Sequence, residues 1–153
     1  YDSHAQMIEA GQQIGASAGF QKLSGELAQL LDHPAETGLS EVVGMTGPPS
    51  DPKPFVIVTR AVLAGGHLVD GLAWSNKVLG HVTDVTGVGG ILTISAAGQM
   101  QLVTWLAGVD TAEEIDTMSG KVAADADYLS MVDEAGGFFV PGSAERAVIA
   151  MLP

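Results

Sequence analysis

The chain of 153 residues has no cysteine, and that absence removes a disulfide scaffold, a thiolate zinc site, an iron–sulfur cluster and a thiol nucleophile. It also leaves the redox state of the compartment open, because a chain without thiols is indifferent to it. Cations are scarce as well: 6 Lys and Arg stand against 18 Asp and Glu, a net charge of −12. The six run from Lys22 to Arg146 without forming a basic patch, which excludes docking on a nucleic-acid backbone or an anionic membrane surface. Charged residues make up only 16% of the chain and hydrophobic ones 46%, so wholesale disorder is excluded and one compact domain over residues 1–153 is expected.

Catalytic signatures are also missing. No G-x-S-x-G elbow is present, which removes the main support for a Ser-His-Asp hydrolase. The run Gly87-Val88-Gly89-Gly90 lacks the Lys and Ser/Thr of a phosphate-binding loop and reads as a turn. The expectation is a protein that is not an enzyme and carries no cofactor. The stretch from Val85 to Val109 has no charged residue, yet it opens on a Gly cluster, contains Thr, Ser and Gln, and has no flanking Lys or Arg. A buried segment with its entry turn is expected there, with no membrane span. The first residue is Tyr1; a removed targeting segment or an omitted start would explain this equally.

What is present reads mostly as helix. Ser3 and Gln6 have capping-box spacing, and a three-and-four apolar stripe follows to Leu30, so helix is expected over 4–31, stopped by His33-Pro34. Residues 34–54 hold five prolines and form a long connection, with one short helical turn over Leu39 to Val43. A second helix is expected over 55–84, a third over Thr93 to Gly108, and a fourth capped by Asp110 or Thr111, with Glu113 and Glu114 in its first turn and Gly136-Gly137 at its end. A short last helix covers Arg146 to Leu152. The fold class so predicted is all-α: a four-helix bundle with a Pro-rich crossover after helix 1 and a short C-terminal helix. The competitor is an α+β domain with strands at Phe55 to Thr59, Ile91 to Ser95 and Leu102 to Trp105, since β-branched apolar runs fit either period.

Three features invite a functional reading. Gly11, Gly15 and Gly19 sit four apart and make a ridge without side chains, either for close packing within the chain or for docking another protein. With the apolar spur Phe138-Phe139 they form the candidate interface. His67 and Asp70, then His81 and Asp84, repeat a His–Asp pair one turn apart, but the pairs are roughly 21 Å apart along a helix and cannot share one metal, so no metal site is assigned. The bland alternative is imidazoles hydrogen-bonded to the Asp one turn on. Trp74 and Trp105 are read as core or interface aromatics.

The single acidic chain, its crossover Thr46-Gly-Pro-Pro-Ser-Asp-Pro-Lys-Pro54, the helical segments and the Ala-Met-Leu-Pro153 end resemble the extrinsic PsbQ-type four-helix-bundle subunits of photosystem II. That resemblance implies a non-catalytic subunit in the thylakoid lumen. It would dock on protein subunits of a larger complex, meet the membrane only through them, and help retain calcium and chloride. The alternative is a stand-alone helical protein that binds a small ligand or a metal.

Overall fold

The computed structural model describes residues 4–29, 38–48 and 51–150. The chain is made of two compact units, Tyr1–Thr37 and Gly38–Pro153. The first contains α1 (His4–Ala16) and α2 (Ala18–Ala28). The helix expected over 4–31 is broken at Ser17, whose backbone is extended and whose side chain caps α2 by accepting from the Phe20 N–H at 3.3 Å. The capping box at Ser3 and the His33-Pro34 stop lie outside the described residues.

The second unit corrects the all-α expectation. Its elements are β1 (Leu39–Met45), β2 (Phe55–Val62), α3 (Leu68–Thr86), β3 (Gly90–Ala97), β4 (Leu102–Val109), α4 (Ala112–Ala123), α5 (Ala126–Ala135) and β5 (Glu145–Ala150). The helical turn expected at Leu39 to Val43 is a strand. The helix expected over 55–84 is a strand followed by a helix, and the one over Thr93 to Gly108 is a β-hairpin. The described part of the last helix, up to Ala150, is a strand. The physical reason is the same at each place: nearly every position is apolar or small, so a three-and-four stripe can be drawn through residues that in fact alternate between two faces of a sheet. Gly98 and Gln101, both at positive φ, turn the chain between β3 and β4.

The strands form one antiparallel sheet in the order β1-β3-β4-β2-β5. β2 and β3 run parallel with β4 between them, and α3 crosses from one to the other. β4 and β5 run parallel with β2 between them, and α4 and α5 make that crossover. Two interlocked split βαβ units result, the β-α-β-β-α-β plan of ferredoxin-like domains, with β1 added at the β3 edge.

Local signals explain the helix ends. Gly87 takes a left-handed conformation at φ +79° and donates its N–H to the Thr83 carbonyl, which stops α3 where the glycine cluster begins. Thr111 caps α4 by accepting from the Glu114 N–H at 3.3 Å, as expected. The fourth helix does not run through to Gly136, because Asp125 caps a new helix, accepting from the Tyr128 N–H at 2.7 Å. The core between sheet and helices centres on Leu63, Leu79, Leu92 and Val103, with Leu72, Trp105 and Phe139 packed against it.

Candidate functional site

Side chains alternate along each strand, so Ile57, Thr59 and Ala61 of β2 and Trp105 and Ala107 of β4 share the face that meets the helices. Several of these are small. Where Leu92 and Val103 fill the space beneath α3, the floor is closed. Over Thr59, Ala61, Ala107 and Gly90 the helices have nothing large to rest on, and a cavity of about 450 Å³ remains. Its roof is Trp74, Val78 and Val82 from α3, Met118, Ser119 and Val122 from α4, and Tyr128 and Val132 from α5. The segment from Phe139 to Gly142, with Ala144 and Arg146, closes one side.

Two ties fix the roof. Trp74 donates its indole N–H to the Met131 carbonyl at 3.1 Å, and His81 Nε2 lies 2.7 Å from Asp125 Oδ1. Both join α3 to α5, one near each end of the Tyr128–Val132 stretch that overhangs the cavity. The Asp125 carboxyl is held below its ordinary range, first by the His81 hydrogen bond and next by the Tyr128 N–H. Trp105 donates to the Ser75 carbonyl at 3.1 Å, so both indole N–H groups are satisfied and the apolar ring faces remain for the cavity and its surroundings. The two indoles meet edge to face with their ring centres 6.3 Å apart, and the ring of Phe139 is centred 5.4 Å from that of Trp74.

The residues singled out by sequence fall in different places. Gly11 and Gly15 are exposed on α1, and a methyl group added to either would meet nothing within 4 Å, so no backbone approaches them closely among the described residues. Gly19, on α2, is equally open except for the Ser17 hydroxyl. Phe138 and Phe139 find partners within the chain: they pack with His67, Trp74 and Trp105, and Phe139 pairs with Leu63 in a β-bridge. His81 bonds to Asp125, not to Asp84 one turn on. No group of three potential metal ligands occurs among the described residues, and no described helix is long and apolar enough to cross a membrane.

Sequence reasoning misses Arg146, Ser119 and Tyr128 as site residues. Arg146 sits in a segment that reads as a short helix, and its place beside the cavity is set by the β2–β5 register, Thr59 opposite Arg146, which no local pattern encodes. The one usable signal is the pair of small residues Thr59 and Ala61, two apart in a β-branched run.

Fold and cavity together define a class: an α/β domain of split βαβ plan with a half-open apolar pocket between its sheet and helices. The particular likeness is to NIPSNAP structures. One is an uncharacterized NIPSNAP domain protein from Burkholderia xenovorans, 14% identical, with 64% of this chain and 94% of that one covered at a TM-score of 0.53. A NIPSNAP family protein from Agrobacterium tumefaciens is 15% identical, covering 62% of this chain and 90% of that one at 0.53. A further nipsnap family protein from the same species, of unknown function, is 14% identical, with 63% of this chain and 86% of that one covered at 0.54. No family model matches the chain, and no curated protein matches it by sequence. At these identities the likeness establishes the fold.

This overturns the resemblance to PsbQ-type subunits. A five-stranded sheet is incompatible with a four-helix bundle, and the structural neighbours are NIPSNAP proteins. The photosystem II docking role falls with it, and the thylakoid lumen has no other basis in the sequence.

Proposed function

We propose that the chain is a binding protein that holds a small, largely apolar molecule between its sheet and helices α3 to α5. The observation that carries this is the cavity itself, of a size typical for small-molecule sites and lined mainly by aliphatic and aromatic side chains with a few polar groups. Its chemistry favours binding over catalysis. Among the described residues Tyr128 and Arg146 are its only titratable lining groups, and the His81–Asp125 pair does not line it. The test uses N-phenylnaphthylamine, a neutral apolar fluorophore. Both tryptophans of the chain, Trp74 and Trp105, line the cavity. Saturable loss of their emission with gain of probe emission, and a rise in melting temperature with probe concentration, are expected. A melting temperature that ignores the probe would count against the reading.

A second reading concerns partners. The sheet face turned away from α3 to α5 carries Val56, Val58, Val62 and Ile149, and along it Val42 and Met45 are 56% and 59% exposed. Its charged pair, Arg60 and Glu145, is joined by an ion pair of 2.6 Å and contributes no net charge. Thr93, Ser95 and Thr104 add hydroxyls to this face, and in a chain of net charge −12 a face so nearly neutral and largely aliphatic suits contact with a second copy of itself across a twofold axis. A protein partner, and no nucleic acid, is therefore proposed.

A further inference from the structure

The cavity's polar groups are unevenly distributed in a way that selects among apolar ligands. Of its lining residues Arg146 alone is charged, and no Asp or Glu lines it, although the chain has 18 acids. Of the six cations, Lys22, Lys53 and Arg60 each have a carboxylate partner, at 3.9, 2.7 and 2.6 Å, while Lys77 and Lys121, which have none among the described residues, lie away from the cavity lining. Among the described residues Arg146 has none; its Nη2 donates to the Ser119 hydroxyl at 3.1 Å.

That bond places the guanidinium. Arg146 comes from β5, opposite Thr59 on the cavity-facing side of the sheet, and Ser119 from α4, so the hydrogen bond crosses from sheet to helix at the solvent-exposed mouth of the cavity. A guanidinium has five N–H donors in a planar fork, and one neutral acceptor leaves most of them for a ligand. The fork matches a carboxylate bidentately.

Building on the small-molecule reading above, we infer that the cavity selects amphipathic monocarboxylates: an apolar body among Trp74, Val122, Val132 and Phe139, and a carboxylate on Arg146 and Ser119. A neutral apolar molecule fits the same walls but leaves the guanidinium to water and gains nothing from it. A dicarboxylate or a phosphorylated ligand brings a second charge that the wall has no cation to meet. The field of the whole chain repels anions at long range, so the preference must come from Arg146 at close range.

The experiment is displacement of N-phenylnaphthylamine by decanoate and by decanol, which share a body and differ in the head, at near-neutral pH. Decanoate is expected to displace the probe at roughly two- to fivefold lower concentration, the advantage of an exposed ion pair. Arg146→Gln should erase that advantage when decanoate and decanol are compared within the variant itself, against its own probe affinity, with circular dichroism reporting the same fold. Arg146→Lys, which keeps charge and loses the fork, should retain only part of it. Equal displacement by decanoate and decanol in the unmodified protein overturns the inference, and so does an advantage that survives in Arg146→Gln. If Arg146→Gln does not fold, the unmodified comparison and Arg146→Lys decide. Failure of the probe to bind at all is a separate outcome that removes the small-molecule reading beneath the inference.

Discussion

His81 Nε2 and Asp125 Oδ1, 44 residues apart in sequence, meet at 2.7 Å and fasten α3 to the first turn of α5. Because Asp125 also caps α5, one carboxylate serves both a tertiary tie and a helix end. Its pKa is lowered in the folded chain, chiefly by the His81 hydrogen bond. A depressed carboxylate stabilises the fold at pH values above its unfolded pKa, and that contribution is lost as pH falls through the folded pKa. Asp125→Asn keeps a good helix cap and removes the charge. Its melting temperature should lie below that of the parent near neutrality and converge with it in strong acid. Parallel curves of melting temperature against pH would show that the pair contributes nothing.

Thr111 is a simpler cap. Its hydroxyl accepts from the Glu114 N–H, while the Glu114 carboxylate accepts from the Asp110 N–H at 2.9 Å. Thr111→Ala should cost about 1 kcal/mol in urea unfolding and Thr111→Ser much less. Equal losses in the two variants would place the effect in packing of the methyl group.

Two glycines, one in the turn before β3 and one within α3, should respond oppositely to alanine. A methyl group on Gly89 would stand 2.5 Å from the Thr46 carbonyl oxygen and 3.2 Å from Gly47 Cα, both backbone atoms, whereas one on Gly80 would meet nothing within 4 Å. Gly89→Ala should therefore lose about 1–3 kcal/mol. Gly80→Ala should gain roughly 0.5–1 kcal/mol through helix entropy. Denaturant titration of the two variants reads both signs, and a stabilised Gly89→Ala would mean that the β1–β3 end yields more easily than the geometry indicates.

The exposed sheet face gives a prediction about association. If a second copy covers it, Ile149→Lys, at a side chain 49% exposed, should shift the protein toward monomer in sedimentation equilibrium without altering its circular dichroism. A parent protein that is monomeric at all concentrations would set aside the self-pairing reading.

The parts of this fold that can be read from the sequence are those set by nearest neighbours. Thr111 with Glu113 and Glu114, and the glycines from Gly87 to Gly90, mark one helix start and one turn because a cap or a left-handed residue needs only a few positions to specify it. The strands are obscured by their own composition. Val56, Val58 and Val62 sit on the outer face of β2, where polar residues would mark the alternation, and Arg60 alone interrupts them. Phe138 and Phe139 stand out as an apolar spur, yet their partners Trp74 and Trp105 are distant in sequence. The cavity is less legible still. It exists because Thr59, Ala61 and Ala107 are small where three helices pass over them, and that coincidence depends on strand order and register.

β5 comes last in the chain order of the elements and, among the described residues, pairs only with β2, across the whole of α3, β3, β4, α4 and α5. Closing so long a loop is entropically slow, and during synthesis the outer edge of β2 must wait for it. Arg146 arrives with that strand. The hydrophobic walls can thus collapse before the charged group is in place, and a chain interrupted ahead of Glu145 would offer an apolar groove beside an unpaired strand edge, the two features that invite aggregation.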